Sequence, residues 1–297
     1  MPIKAKTMKV LMVTAVGALT FQTAGAQGAR TSGTAADSNM SNVAKTLRAA
    51  AAALNMVRMS DIGAGDTRLP GVDVVNTMQV WGSATTYGSV QGPALKTEYH
   101  AAIAYNPPAM RVEMTRTNPG GGSPEHTIQV VRGKYAWDES EMGGGLVPGK
   151  GTAAPAPSAT RERLLMLWTL PYGVVKAAIA AGDQTTVSTA SGATVISFPL
   201  SGELAGVSVK ATLDANNFVS KVETQTENPA LEALVTETEY SDYADHGEIQ
   251  TDIRSPGHIL RKQHGSPVLD IQIKTWDANN PYLVFPVPAS VKTSERF

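Results

Sequence analysis

The chain has 297 residues, a formal net charge of −1, 42% hydrophobic residues and 17% charged residues. That suffices for one large β-rich domain or two small ones, and it lacks the basic excess that nucleic acid or an anionic membrane would demand. It contains no cysteine, which excludes disulfides, a cysteine nucleophile and a lipidated cysteine, so burial alone must hold the fold.

Lys4, Lys6 and Lys9 form a basic start. Val10 to Phe21 is an apolar run of roughly twelve residues, too short to span a bilayer, and Ala24-Gly25-Ala26 is a small-x-small cleavage pattern. Residues 1–26 are therefore expected to be a secretory signal peptide, with a soluble, periplasmic mature chain starting at Gln27. Losing three lysines makes that chain more acidic. No later segment reads as a membrane helix. Residues 27–41 are small and polar and read as a disordered lead-in. From Asn42 the pattern is helical, with Val43, Leu47, Leu54 and Val57 near one face and alanines between them. Strand-like runs follow at Val72–Thr86, Leu95–Asn106, Met110–Thr117 and Thr127–Asp138. Met110 to Thr115 alternates apolar with polar, as a sheet with one wet face requires. Residues 141–158 are rich in Gly, Pro and Ala and are expected to be a flexible loop. Ser158 is the expected N-cap of a helix through Leu164, Leu165, Leu167 and Trp168. Pro171 interrupts that helix, and a second piece runs from Tyr172 to Ala181 and stops at Gly182. Further strands are expected at Thr194–Leu200, Val207–Leu213, Phe218–Thr226, Leu234–Tyr243, His258–Gln263 and Leu269–Trp276, with a hairpin turn at Asp214–Asn217. About ten strands and about three helical pieces, with no 20–50-residue repeat and no dividing linker, predict a single α+β, β-rich domain over 42–297. Its expected core is a strongly curved antiparallel sheet, a half-barrel, with helices packed on the concave face.

Gly144-Gly145-Leu146-Val147-Pro148-Gly149-Lys150 approaches a phosphate-binding loop, but Gly151 stands where Ser or Thr must follow. Pro155 and Pro157 also prevent a helix from starting after the lysine. The five histidines, His100, His126, His246, His258 and His264, show no metal-ligand spacing, and the acid-rich stretch around Asp242, Asp245 and His246 reads as a solvated strand end. No Gly-x-Ser-x-Gly elbow occurs. Asp138, Glu139 and Glu141 read as a charged turn rather than as catalytic carboxylates facing each other across a cleft. A hydrolase with a scattered site around His246, Asp242 and Asp245 is the enzymatic alternative. Neither a catalytic residue, a metal nor a cofactor is expected.

Apolar bulk stands beside the breaks in the pattern. Met110, Val112, Met114, Trp137, Leu167, Trp168, Leu170 and Tyr172 sit on the strands and on the Pro171-interrupted helix. Methionine adapts to ligands of varied shape, and Trp and Tyr offer broad apolar faces with one polar end. These residues are the expected lining of an apolar cavity between sheet and helices, and packed core is their other reading. The expected partner is a hydrophobic small molecule or lipid. An envelope protein docked to a sheet edge or to the 141–158 loop is the alternative partner.

Asn106-Pro107-Pro108-Ala109-Met110-Arg111-Val112-Glu113, followed by Gln129 to Asp138 with Gly133 and Trp137, resembles the central strands of the periplasmic lipoprotein-carrier (LolA/LolB-like) superfamily. Leu167 to Gly173, Tyr240 to Gly247 and Gly265 to Ile271 are similar to the LolA-like N-terminal region of exported metallo-β-lactamase-fold hydrolases. The resemblance spans about residues 42–280. It implies a half-barrel closed by helices over a hydrophobic cavity, and a binding module standing without the hydrolase domain, whose His-x-His-x-Asp-His motif is absent. The carrier's latch arginine before the strand proline is replaced by Asn106, which sets this chain apart from a lipoprotein shuttle.

Overall fold

The period-2 pattern of the strand runs becomes one antiparallel sheet of thirteen strands in a computed structural model that describes residues 31–56, 75–87, 95–117, 122–245 and 253–293. The expected signal peptide, Val57, the start of the run at Val72, and His246 lie outside the described residues. The first six strands are β1 (Thr77–Thr86), β2 (Leu95–Tyr105), β3 (Pro108–Arg116), β4 (Glu125–Arg132), β5 (Tyr135–Glu139) and β6 (Ala153–Pro155). After two helices come β7 (Thr186–Ala190), β8 (Ala193–Pro199), β9 (Val207–Leu213), β10 (Val219–Thr226), β11 (Thr236–Asp245), β12 (Arg254–Gln263) and β13 (Ser266–Ala278). Their order, β6-β5-β4-β3-β2-β1-β13-β12-β11-β10-β9-β8-β7, is two meanders joined where β1 pairs with β13. The sheet is curved and does not close on itself.

The strand count exceeds expectation for local reasons. Thr127–Asp138 divides into β4 and β5 at Gly133, whose φ of 54° and bond from its N–H to the Pro108 carbonyl make a tight turn. β7 is separated from β8 by Ser191 and Gly192, both at positive φ, the pair a two-residue hairpin requires. β6 arises inside the segment expected to be a flexible loop. That expectation is corrected: Gly143 N–H donates to Glu139 Oε2 at 2.8 Å, Ser140 N–H to the Thr152 carbonyl, and Lys150 N–H to the Val147 carbonyl, so the stretch is folded against β5. The Asp214 turn forms as read, with Oδ1 accepting from the N–H groups of Asn216 and Phe218.

Helix α1 (Thr31–Ala53) begins eleven positions before Asn42, so the part of the expected lead-in from Thr31 onward is helical backbone. It ends where Asn55, at φ 55°, and Met56 donate to the Ala52 and Ala51 carbonyls, a left-handed helix stop. Leu47, Ala50, Ala51 and Leu54 enter the main core. A 3-10 turn at Pro157–Ala159 replaces the expected Ser158 cap and leads into α2 (Thr160–Thr169). Leu170 then turns the chain into α3 (Pro171–Ala181), because Pro171 cannot continue a helix but can begin one. The two helical pieces meet at 96°. No single described helix is long and apolar enough to cross a membrane.

Side-chain parity sorts the sheet into two cores. Met110, Val131 and Ala136 are register partners across β3, β4 and β5 and face the helices; Arg111, Val130 and Trp137, one residue along, face the opposite side. On that outer side the C-terminal segment returns with Phe285 and with Val291 of α4 (Ala289–Thr293) to cover Trp137. Glu139 is buried there and not on a charged turn. It accepts from Trp137 Nε1 at 2.9 Å and pairs with Arg111 at 3.3 Å, while Arg111 also lies over the Phe285 ring. Replacing Glu139 with Ala leaves a buried guanidinium uncompensated. The expected loss is about 3–5 kcal/mol, measured as a fall in the urea midpoint at unchanged m-value.

Candidate functional site

Both ends of the helical pair are tied to the sheet by hydrogen bonds to backbone. Arg163 of α2 reaches the Val130 and Trp137 carbonyls at 3.0 and 2.7 Å and Asp138 Oδ1 at 2.6 Å. Val130 and Trp137 are cross-strand partners, and each carbonyl has a second lone pair to offer. At the Pro171 break, Tyr240 of β11 donates to the Thr169 carbonyl at 2.7 Å. Tyr172 in turn donates to the Arg254 carbonyl and shares a 2.6 Å bond with Ser255 Oγ. Burial pushes the Tyr172 and Tyr240 hydroxyls well above the ordinary phenol range, so both remain neutral donors.

The apolar residues singled out in the sequence do not form one lining. Val112, Met114, Leu167 and Tyr172 are packed in the main core. Met110 and Leu170 line a crevice between the concave sheet face and α2. Trp168 points to the other flank of α2, tilted against the Tyr105 ring at 5.9 Å, and borders a separate groove. Trp137 lies on the outer face of the sheet and cannot contribute, because strand parity sends it away from Met110.

Among the described residues, much of the concave face is filled by the protein's own side chains. Two openings lie on the flanks of α2, one on either side. On one flank, a groove of about 520 Å³ runs among Leu164, Trp168, Ala177 and Ala181 on the helices and Leu200 and Leu204 after β8. On the other, the crevice has a void of about 40 Å³, room for roughly one or two waters. Its walls are Val80, Ile103, Met110, Ile259, Ile271 and Trp276 of the sheet, roofed by Met166 and Leu170. Two polar side chains at its edge were missed in the sequence: Tyr99 of β2 and Arg261 of β12. Arg261 lies in one cross-strand row with Thr238 and Leu269, and the next inward-facing row is Tyr240, Ile259 and Ile271. The only signal in the sequence was a cation at an inward position of a strand, visible once the register is known.

Gly82 of β1 separates Tyr99 from Ile273 in the same row. A Cβ there would stand 2.1 Å from the Gln272 carbonyl oxygen, so the close strand approach demands glycine and leaves no side chain in between.

Other polar clusters lie on the outer face. His100 and His126 share the Glu113 carboxylate at 3.4 and 2.9 Å, with Trp81 stacked on His100. His258 stands between Ser241 Oγ at 3.3 Å and Asp270 Oδ1 at 2.8 Å. Ser241 and His258 are direct partners in the β11–β12 ladder, where backbone N–H groups serve strand pairing and not a reacting oxygen. Among the described residues, no group of three or more His, Asp or Glu side chains is disposed to hold a metal ion.

No protein-family model matches the chain, and no curated protein matches it. Among solved structures it is similar to a DUF1329 family protein from Desulfovibrio piger, with a TM-score of 0.45 and 9% identity over 85% of this chain and 98% of the other. It is also similar to LprF from Mycobacterium bovis, with a TM-score of 0.31 and 8% identity over 84% of this chain and 99% of the other.

The seat of α2 against α3 depends on Gly173, where an added Cβ would meet the Leu167 carbonyl oxygen at 2.5 Å and the Trp168 Cα at 3.0 Å. Gly173→Ala must push the two helices apart. The expected destabilisation is about 1–3 kcal/mol, with amide exchange accelerated in α2 and α3 more than in β9–β11.

Proposed function

We propose that this protein is an exported, periplasmic binding or carrier protein for a hydrophobic ligand, such as a lipid, an acyl chain or a lipidated partner, held between the curved sheet and α2. The observation that carries the reading is the apolar crevice beneath α2, walled by Val80, Met110, Ile259 and Ile271 and roofed by two adaptable side chains, Met166 and Leu170. The helix that roofs it is bordered on its far flank by the 520 Å³ groove. Displacement of α2 toward that groove enlarges the crevice without disturbing the strand ladder. Each chain methylene buried contributes about 0.8 kcal/mol, so about ten of them contribute about 8 kcal/mol, the equivalent of micromolar binding before the cost of ordering the chain is subtracted. The signal peptide expected from residues 1–26 and the order of helix and strands that resembles the carrier superfamily support the same reading.

The neutral fluorescent probe N-phenyl-1-naphthylamine tests this directly. Saturable binding at one probe per chain is expected. Leu170→Gln places an amide without a partner in the crevice roof, and a loss of about tenfold in probe affinity is expected. A probe that does not bind the folded protein would remove the proposal.

A further inference from the structure

Arg261 is a feature of the crevice that a purely apolar ligand does not explain. The two buried arginines among the described residues are compensated: Arg111 by Glu139, and Arg163 by Asp138 and two carbonyls. Arg261 has no carboxylate within 4 Å and no hydrogen bond from its guanidinium among the described residues; the acid that acts on it, Glu162 of α2, does so only at longer range. The Tyr99 hydroxyl beside it is likewise unbonded among the described residues and feels the guanidinium charge. Loss of water around Arg261 pulls its pKa below the usual arginine value, yet an arginine stays charged in a protein. A half-buried cation and a neutral phenol donor therefore border an apolar crevice with no protein partner among the described residues. A cation placed in the wall of an apolar recess without a counter-charge calls for an explanation, and a ligand head group supplies one.

We infer that the ligand of the α2 crevice is a long-chain anion, whose carboxylate or phosphate head is held by the Arg261 guanidinium and the Tyr99 hydroxyl while its chain lies along Met110, Ile259, Ile271, Met166 and Leu170. This rests on the hydrophobic-ligand reading and adds the head group to it. Guanidinium suits either head, because its parallel N–H groups match two oxygens of a carboxylate or a phosphate. Glu162, at the start of the roofing helix, is repelled by an arriving anion, so head-group binding favours the displaced position of α2. Charge-assisted bonds of this kind discriminate by about tenfold to a hundredfold.

The test is displacement of N-phenyl-1-naphthylamine by laurate, dodecyl phosphate and 1-dodecanol at pH 7.5, in the unaltered protein and in Arg261→Gln, Arg261→Lys and Tyr99→Phe, each checked for its thermal transition. Either anion is expected to displace the probe at a concentration at least tenfold below that of the alcohol, and the stronger of the two names the source as free fatty acid or lipid phosphate. In Arg261→Gln the anion and alcohol curves are expected to coincide, Arg261→Lys to keep part of the difference, and Tyr99→Phe to lose a few-fold for the anions alone. Equal displacement by anion and alcohol in the unaltered protein overturns the head-group assignment while leaving a hydrophobic site. No displacement by any of the three overturns both.

Discussion

The chain must travel from one outer edge of its sheet to the other, and the rest of the structure follows from that crossing. β6 and β7 are consecutive strands yet occupy opposite ends of a thirteen-strand order. Laid flat, those ends would be about 58 Å apart at about 4.8 Å per strand. The connection is made by α2 and α3, about 15 Å and about 17 Å long at about 1.5 Å per residue, and bent at 96°. Helices of that length reach both halves only if the sheet curls around them, and α2 does pack on β3, β4 and β5 while α3 packs on β8. Pro171 fixes where the connection bends, and Arg163, Tyr172 and Tyr240 fix where it touches down.

A sheet curled over so short a span has an inner face that the helices nearly fill. The concave side is a continuous apolar core from Leu47 through Met110 to Phe198 and Ile271. The outer side carries charge, as in Lys262 between Glu237 and Glu239, except where the C-terminal segment covers Trp137 and the Arg111–Glu139 pair. Bonds to the Glu239 and Glu237 carboxylates raise the Lys262 pKa on that wet face. Among the described residues, the crevice and the groove on the two flanks of α2 are places where packing between sheet and helices is left open, the crevice beneath the flexible side chains of Met166 and Leu170.

Much of the architecture was legible because it is written in local chemistry. The Pro171 break, the Gly182 stop, the Asp214 turn and the clean alternation of Val207 to Leu213 each follow from one residue's stereochemistry or from a period of two. The lining of the site was legible only in part. Met110 and Trp137 look equivalent along the chain, and only the pairing of Trp137 with Val130, and of Val130 with Arg111, shows that they face opposite ways. Arg261 went unread for the same reason: its inward direction depends on register with Thr238 and Leu269, which is a long-range property. Glu139 resembled a surface acid because its partners, Arg111 and the Gly143 N–H, are brought to it by a strand two places along the sheet and by a loop with no marked pattern.

Native mass spectrometry of the protein released from its cells without detergent tests the central claim most directly. A hydrophobic guest seated between sheet and helix should appear as a discrete adduct, one per chain, that organic extraction removes and identifies. A bare polypeptide mass across gentle conditions, from cells rich in lipid, would contradict it.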